Sequence, residues 1–266
     1  MKELILKTKR TNNYLCISNG GSSIPIVFLH GFTGTHHSWD EVVLKLNRYT
    51  IALDLPGHGK SSFNDIKDNY SIDDWCDDFY KVLSLLNIEK IDLCGYSMGG
   101  RLAIAFASKY PIMINKLILE SASYGIRNKK DRADRLAKDL KLSKHIESDL
   151  HLFIEKWENS ELFSKQEHRN PRMFLKQRQQ RLLSNPAQLA KALKSFSQGG
   201  MFFYAENILK FEFPVIIING SEDSKYIKIG QRIDSFLADS SHFIVSKCGH
   251  NVHLEQFDKF ISILGG

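Results

Sequence analysis

Ser97 lies at the centre of Gly95-Tyr96-Ser97-Met98-Gly99, a Gly-x-Ser-x-Gly pentapeptide. Before it, Lys90-Ile91-Asp92-Leu93-Cys94 reads as a short buried strand, and after it Gly100 to Ala107 reads as an apolar helix. A serine at such a strand-to-helix turn is held in a strained elbow with its hydroxyl raised above the sheet edge. The flanking glycines suit a turn too tight for side chains. A hydroxyl is a poor nucleophile or base until a neighbouring base accepts its proton and a third group orients that base. The partners must therefore be sought in the order serine, acid, histidine.

Two later segments supply them. Asn219-Gly220-Ser221-Glu222-Asp223-Ser224 follows the apolar run Pro214 to Ile218 and offers Asp223, with Glu222 as a near competitor. Lys247-Cys248-Gly249-His250-Asn251 follows Phe243 to Val245 and offers His250. Each alone is ordinary, since an Asp after a strand commonly serves a turn or helix cap. Taken in order, Ser97, Asp223 and His250 form a catalytic set. Acyl or enolate chemistry also needs donors for a developing oxyanion. Leu29-His30-Gly31-Phe32 follows another strand, so the Phe32 and Met98 amides are the expected pair. His30 reads as a residue holding that loop. His36 and His37 read as surface loop residues, and no third ligand is spaced to complete a metal site with them. Asp54 to Ser61 forms a turn and carries no phosphate-loop motif. Arg101 falls in the first turn of the helix after Ser97, where a cation opposes the helix dipole. It must face either an anion in a pocket or a nearby acid.

The elements that position these residues alternate. Strands are expected at Leu4–Lys7, Tyr14–Ser18, Ile24–Leu29, Tyr49–Leu53, Ile91–Cys94, Lys116–Leu119, Val215–Ile218 and Phe243–Val245, with a loop over Asn19 to Ser23. Helical patterns occupy 38–46, 72–86, 98–109, 226–237 and 253–263. This alternation specifies an α/β fold with a mostly parallel central sheet flanked by helices. Between 124 and 210 the pattern is helical, highly charged and without a strand, far longer than a crossover needs. Residues 1–123 and 211–266 are thus expected to form the core, and 124–210 an inserted helical cap.

Bulk properties exclude several classes. With 266 residues, 42% of them hydrophobic, the chain suits one large α/β domain with an insertion. No apolar run approaches the ~18 residues of a membrane span, and Met1-Lys2-Glu3-Leu4 opens a strand rather than a signal peptide. Cys16, Cys76, Cys94 and Cys248 lack metal-ligand spacing and suit free thiols in a reducing cytoplasm. The net charge of +6 is spread among interleaved acids without an aromatic-basic motif, which argues against nucleic acid, and a basic balance could equally attract a small polyanionic substrate.

The His-Gly-Phe loop, Asp54 to Gly59, the serine elbow, Asp223 and Cys248-Gly249-His250 together resemble the α/β-hydrolase superfamily over nearly the whole chain. Within it, Gly95 to Arg101, Gly220 to Lys225 and Gly249-His250-Asn251-Val252-His253 are similar to the 2-succinyl-6-hydroxy-2,4-cyclohexadiene-1-carboxylate synthases of menaquinone biosynthesis. Glu120, Arg132, Arg135, Trp157 and Arg181 also fit that family in order. The resemblance implies elimination of pyruvate from 2-succinyl-5-enolpyruvyl-6-hydroxy-3-cyclohexene-1-carboxylate, without metal or organic cofactor. It places anion-binding arginines at Arg101, Arg135 and Arg181, with Tyr96 and Trp157 lining the pocket. Arg132 and Arg178, one turn away, compete for the two cap positions. The surface alternative is an i,i+4 pair such as Asp131–Arg135. Three substrate carboxylates match guanidinium forks. Ser97 or His250 would remove the proton, and the chain would act as a monomer or homo-oligomer. The rival readings are a serine ester, thioester or carbon–carbon hydrolase and a non-catalytic ligand receptor, because fold alone does not fix function.

Overall fold

The computed structural model describes residues 1–18, 23–163 and 165–265, so most of the loop expected over Asn19 to Ser23 lies outside the described residues. In chain order the elements are β1 (Lys2–Lys7), β2 (Thr11–Ser18), β3 (Ile26–Leu29), α1 (Asp40–Leu46), β4 (Thr50–Leu53), β5 (Ser62–Phe63), α2 (Ile72–Leu85), β6 (Ile91–Tyr96), α3 (Met98–Lys109) and β7 (Ile114–Glu120). Six helices follow: α4 (Lys129–Ser148), α5 (Leu150–Glu158), α6 (Gln166–Arg169), α7 (Pro171–Leu182), α8 (Pro186–Ser195) and α9 (Ala205–Ile208). The chain closes with β8 (Val215–Gly220), α10 (Ser224–Asp234), β9 (Ser240–Val245), α11 (Val252–Glu255) and α12 (Phe257–Leu264).

The strands form one sheet in the order β1-β2-β4-β3-β6-β7-β8-β9, with the short β5 added to β2. β1 and β2 pair antiparallel, as do β2 and β4, and every pair from β4–β3 to β8–β9 is parallel. The central strands are buried along their whole length because side chains alternate between two covered faces. Val27, Leu29 and Leu93 join the core on one face, while Ile26, Phe28 and Cys94 join that on the other. β3 neighbours both β4 and β6, so the strand order reverses there. Ligands of open α/β sheets bind beyond the carboxyl ends of the strands at such a switch point. The parallel register carries Leu29 opposite Gly95 and Tyr96 opposite Glu120, which brings the loops after β3, β6 and β7 to one edge.

Sequence detail explains the elements. Ser71 and Asp74 cap α2 reciprocally, and Ile72, Trp75, Cys76, Phe79, Val82 and Leu83 bury one face at helical spacing. α4 begins where Asn128 accepts from the Lys130 and Asp131 amides. Part of the helical stretch between β7 and β8 holds an apolar cluster, with Ile146, Phe153 and Ile154 packed on Leu189, Ala190 and Leu193.

Several boundaries differ from expectation. β3 starts at Ile26 because Pro25 has no amide hydrogen to donate to a ladder. The single helix expected over 253–263 is two, broken at Gln256, whose φ of −137° is not helical. β9 starts at Ser240; it is the edge strand, and Phe243 and Ile244 remain exposed. The four cysteines are free and buried. Among the described residues no helix is long and apolar enough to cross a membrane.

Candidate active site

The Ser97 elbow is strained, with φ 51° and ψ −105°, a region disfavoured for a residue with a Cβ. The backbone around it leaves no room. A Cβ on Gly95 would lie 2.5 Å from the Gly99 carbonyl oxygen, and one on Gly99 would lie 2.3 Å from that of Leu29. The Ser97 amide donates to the Glu120 carbonyl at 2.8 Å, fastening the turn to β7.

The three dispersed residues converge. His250 Nε2 is 2.9 Å from Ser97 Oγ, and its Nδ1 is 2.6 Å from Asp223 Oδ2. A carboxylate can only accept, so Nδ1 carries the proton and Nε2 is free to receive one from the hydroxyl. Asp223 also caps α10, its Oδ1 accepting from the Tyr226 amide at 3.4 Å. Glu222 points elsewhere, to Lys165 at 2.7 Å and Arg169 at 2.6 Å, which resolves the choice between the two acids. Phe32 and Met98 line the same cavity as Ser97, and neither amide is taken up by a turn or loop hydrogen bond of the main chain among the described residues. Met98 is the first residue of α3, where the helix leaves an amide unsatisfied.

The cavity holds about 710 Å³ and is lined in part by α4 to α8. Arg101 reaches it with no carboxylate partner among the described residues; its Nη1 donates to the Phe196 carbonyl at 2.7 Å. Burial, then repulsion from Arg135, pushes its pKa down to about 10, so it remains a cation at neutral pH. Arg135 also lines the cavity. Its i,i+4 partner is Asp139, with Nε 2.9 Å from both carboxylate oxygens, and not Asp131. Arg132 does not line the cavity. Arg181 does, buried against Glu158 at 2.9 Å and Gln177 at 3.1 Å, while Arg178 stays outside and reaches the same Glu158 at 3.1 Å. Tyr96 is buried beside Ser97, and burial followed by Glu120 raises its phenol well above the ordinary value. Trp157 packs edge-on against Phe32 at 5.5 Å, and its Nε1 lacks a partner among the described residues.

Other side chains complete the site without having been read from the sequence. Tyr226 lies 4.5 Å from the His250 ring, ring to ring, and its phenol is raised by burial. Lys225 faces the cavity with its pKa lowered by burial and then by Arg135. Both lie within three residues of Asp223, a spacing that places them on the first turn of α10 and could have revealed them. Gln166, 1% exposed, lines the cavity with neither amide atom hydrogen-bonded among the described residues. It comes from a different helix, and nothing local marks it. His36 corrects an expectation: it is buried, not on the surface, and its Nδ1 is 2.8 Å from the interior Asp54. His30 does hold its loop, Nε2 accepting from the Leu55 amide at 2.9 Å. Glu120 is a tie rather than a cavity residue, bound to His253 Nδ1 at 2.6 Å. Among the described residues no three His, Cys, Asp or Glu side chains gather in a group able to hold a metal ion.

A hydroxyl with an oriented base, free amides opposite and cationic walls can remove a proton, or attack a carbonyl, while holding an anionic oxygen. The chain is 35% identical over 248 residues to a Bacillus subtilis (strain 168) protein provisionally named 2-succinyl-6-hydroxy-2,4-cyclohexadiene-1-carboxylate synthase, covering 91% of this chain and 90% of that one. It is 29% identical over 240 residues to the Escherichia coli O1:K1 / APEC protein named for the same synthase, covering 89% and 91%. The solved structure of MenH from S. aureus superposes with a TM-score of 0.89 at 30% identity, covering 97% of each chain. A family description of the alpha/beta hydrolase fold matches residues 24–257, and the chain therefore belongs to the α/β-hydrolase family.

Proposed function

We propose that this chain is a 2-succinyl-6-hydroxy-2,4-cyclohexadiene-1-carboxylate synthase. It eliminates pyruvate from 2-succinyl-5-enolpyruvyl-6-hydroxy-3-cyclohexene-1-carboxylate, in the cytoplasm and in the service of menaquinone biosynthesis. The relatives named for this activity support the reading across about nine-tenths of the chain. The observation that carries it is the cation beside the activated serine. Arg101 stands one helical turn past Ser97, half-buried and without a carboxylate partner among the described residues, and a cation in that state is stabilised by an anionic ligand.

In this mechanism the Ser97–His250 pair removes the proton next to the succinyl carbonyl, and Asp223 holds the imidazole in the required tautomer. The electrons of that C–H bond pass to the carbonyl oxygen, where the Phe32 and Met98 amides stabilise the enolate; one lost oxyanion donor costs about 3–4 kcal/mol. Collapse of the enolate shifts the ring double bond and breaks the C–O bond to the enolpyruvyl group, which leaves with its electron pair and is protonated to pyruvate. Arg101, Arg135 and Arg181 receive the substrate's carboxylates, Tyr96 and Trp157 form the apolar walls, and residues 124–210 act as the cap.

The test is pyruvate release, followed by coupled reduction, from the named substrate. The native chain should release pyruvate stoichiometrically with diene formation, and Ser97→Ala should lose about three orders of magnitude in kcat. A native chain that releases no pyruvate, but accumulates an acyl adduct on Ser97 with esters, would establish the hydrolase reading instead.

A further inference from the structure

The two loops that carry Asp223 and His250 are joined by a third side chain from outside both. Arg169, the last residue of α6, places Nη2 2.6 Å from Glu222 Oε1, and its Nη1 bonds Glu255 Oε2. Glu222 is the immediate neighbour of Asp223. Glu255 Oε2 in turn accepts from the Gly249 amide at 2.8 Å, and Gly249 is the immediate neighbour of His250. The two loops already touch, since the Glu222 amide donates to the Cys248 carbonyl at 2.9 Å. The helix is fastened alongside by Asn170 Nδ2, which donates to the Leu254 carbonyl at 3.0 Å, and by Lys165 on Glu222 at 2.7 Å. The Glu255 side chain is 1% exposed and that of Arg169 19%, so their pair is not a solvated surface contact. A planar guanidinium presents its donors to two carboxylates in a rigid fork, whereas a lysine's ammonium is a rotatable point charge that fixes no direction.

We propose that Arg169 is a positioning residue: it bridges Glu222 and Glu255 and thereby holds the acid loop, the histidine loop and the inserted helix α6 in the one register that aligns His250 with Ser97. This rests on the preceding reading of Ser97, His250 and Asp223 as the reacting set, and not on the identity of the substrate. Loss of that register costs rate rather than affinity, because misplacement of the base by about 1 Å can cost about a hundredfold.

The experiment follows phosphonylation of Ser97 by a fluorophosphonate across pH 5 to 9, alongside pyruvate release. In phosphonylation the Ser97 Oγ–P bond forms, the P–F bond breaks, fluoride leaves and His250 takes the hydroxyl proton. Arg169→Met should label about tenfold or more slowly and lower kcat similarly, with KM within about twofold. The other groups facing His250 are left in place: Asp223, Tyr226 of α10, and Tyr96 and Ser97 of the elbow. Glu255→Gln should slow labelling and lower kcat in the same way, with KM within about twofold, and it serves as the deciding variant if Arg169→Met does not fold. Arg169→Lys should recover less than half of the lost rate. A raised KM with unchanged kcat would make Arg169 a substrate ligand, and a lowered Tm with unchanged labelling and kcat would make it a structural tie; either overturns the proposal. A native chain labelled at Ser97 but unable to release pyruvate would sink the lyase reading while leaving the Arg169 comparison intact.

Discussion

In the proposed function, polyanion recognition turns on Arg101. A cation withdrawn from water is costly unless it is paired, and here its one assigned bond is to the Phe196 carbonyl. Arg101→Gln removes the charge and leaves a shorter, neutral amide donor. Its kcat/KM for the tricarboxylate should fall about a hundredfold, or about 2.7 kcal/mol, with Tm nearly unchanged in a thermal melt. Equal kcat/KM for the variant and the native chain would remove Arg101 from the site. At this scale the sequence was informative where chemistry dictates order. Ser97, Asp223 and His250 could be chosen because a post-strand acid and a post-strand histidine must follow the elbow. It was less informative where two candidates lie one helical turn apart. Arg135 and Arg181 line the cavity while Arg132 and Arg178 do not, a difference set by how α4 and α7 are rotated on their neighbours. Gln166 was missed because nothing local marks it, and Arg169 because it pairs with a residue 86 positions away.

Elements matter here through the loops at the strand ends, and one pair of loops has a pH-sensitive centre. His30, after β3, and His58, after β4, are both buried with ring centroids 5.0 Å apart. Burial pushes His30 down to about 4, and burial followed by repulsion from His30 pushes His58 down to about 3. The unfolded chain binds these protons near pH 6.5, whereas the fold refuses them. Their contribution to stability is therefore complete above about pH 6.5 and lost as pH falls toward 4, at up to about 1.4 kcal/mol per pH unit for each group. Melts between pH 7 and pH 4 should show Tm falling through that window. His58→Phe should fall less steeply, since its Nε2 has no partner among the described residues and its ring meets Phe32 edge-on at 5.6 Å. Parallel pH slopes for the two proteins would show that His58 takes no part in acid unfolding. The elements themselves were legible from apolar periodicity, because a parallel sheet covered on both faces writes continuous apolar runs. Boundaries set by hydrogen bonding were not. The break at Gln256 interrupts an apolar pattern that reads as one helix from 253 to 263, and β5 is only two residues long, too short to carry a period.

The whole molecule adds a field to these local features. The chain carries a formal charge of +6, and seven cationic side chains line the cavity against five carboxylates. Four of those carboxylates are already committed: Asp139 to Arg135, Asp223 to His250, and Glu222 and Glu255 to Arg169. Arg101, Lys138 and Lys225 are left without a paired acid among the described residues, so the cavity presents net positive charge to an approaching anion. A cleft of one sign with low-dielectric walls raises the capture rate of an opposite ion, and the gain is screened by salt. Capture enters kcat/KM, whereas chemistry within the closed cavity governs kcat. Raising ionic strength from about 0.02 to about 0.5 M should therefore lower kcat/KM for the tricarboxylate by about tenfold and leave kcat within about twofold. A neutral ester or fluorophosphonate reacting at Ser97 should show almost no salt dependence, which separates screening of the substrate from damage to the triad. Arg101→Gln should flatten the salt dependence, because it removes an uncompensated charge. If kcat/KM for the trianion were as flat with salt as that for the neutral probe, the cationic cavity would have no part in capture, and the +6 balance would be only a property of the outer surface.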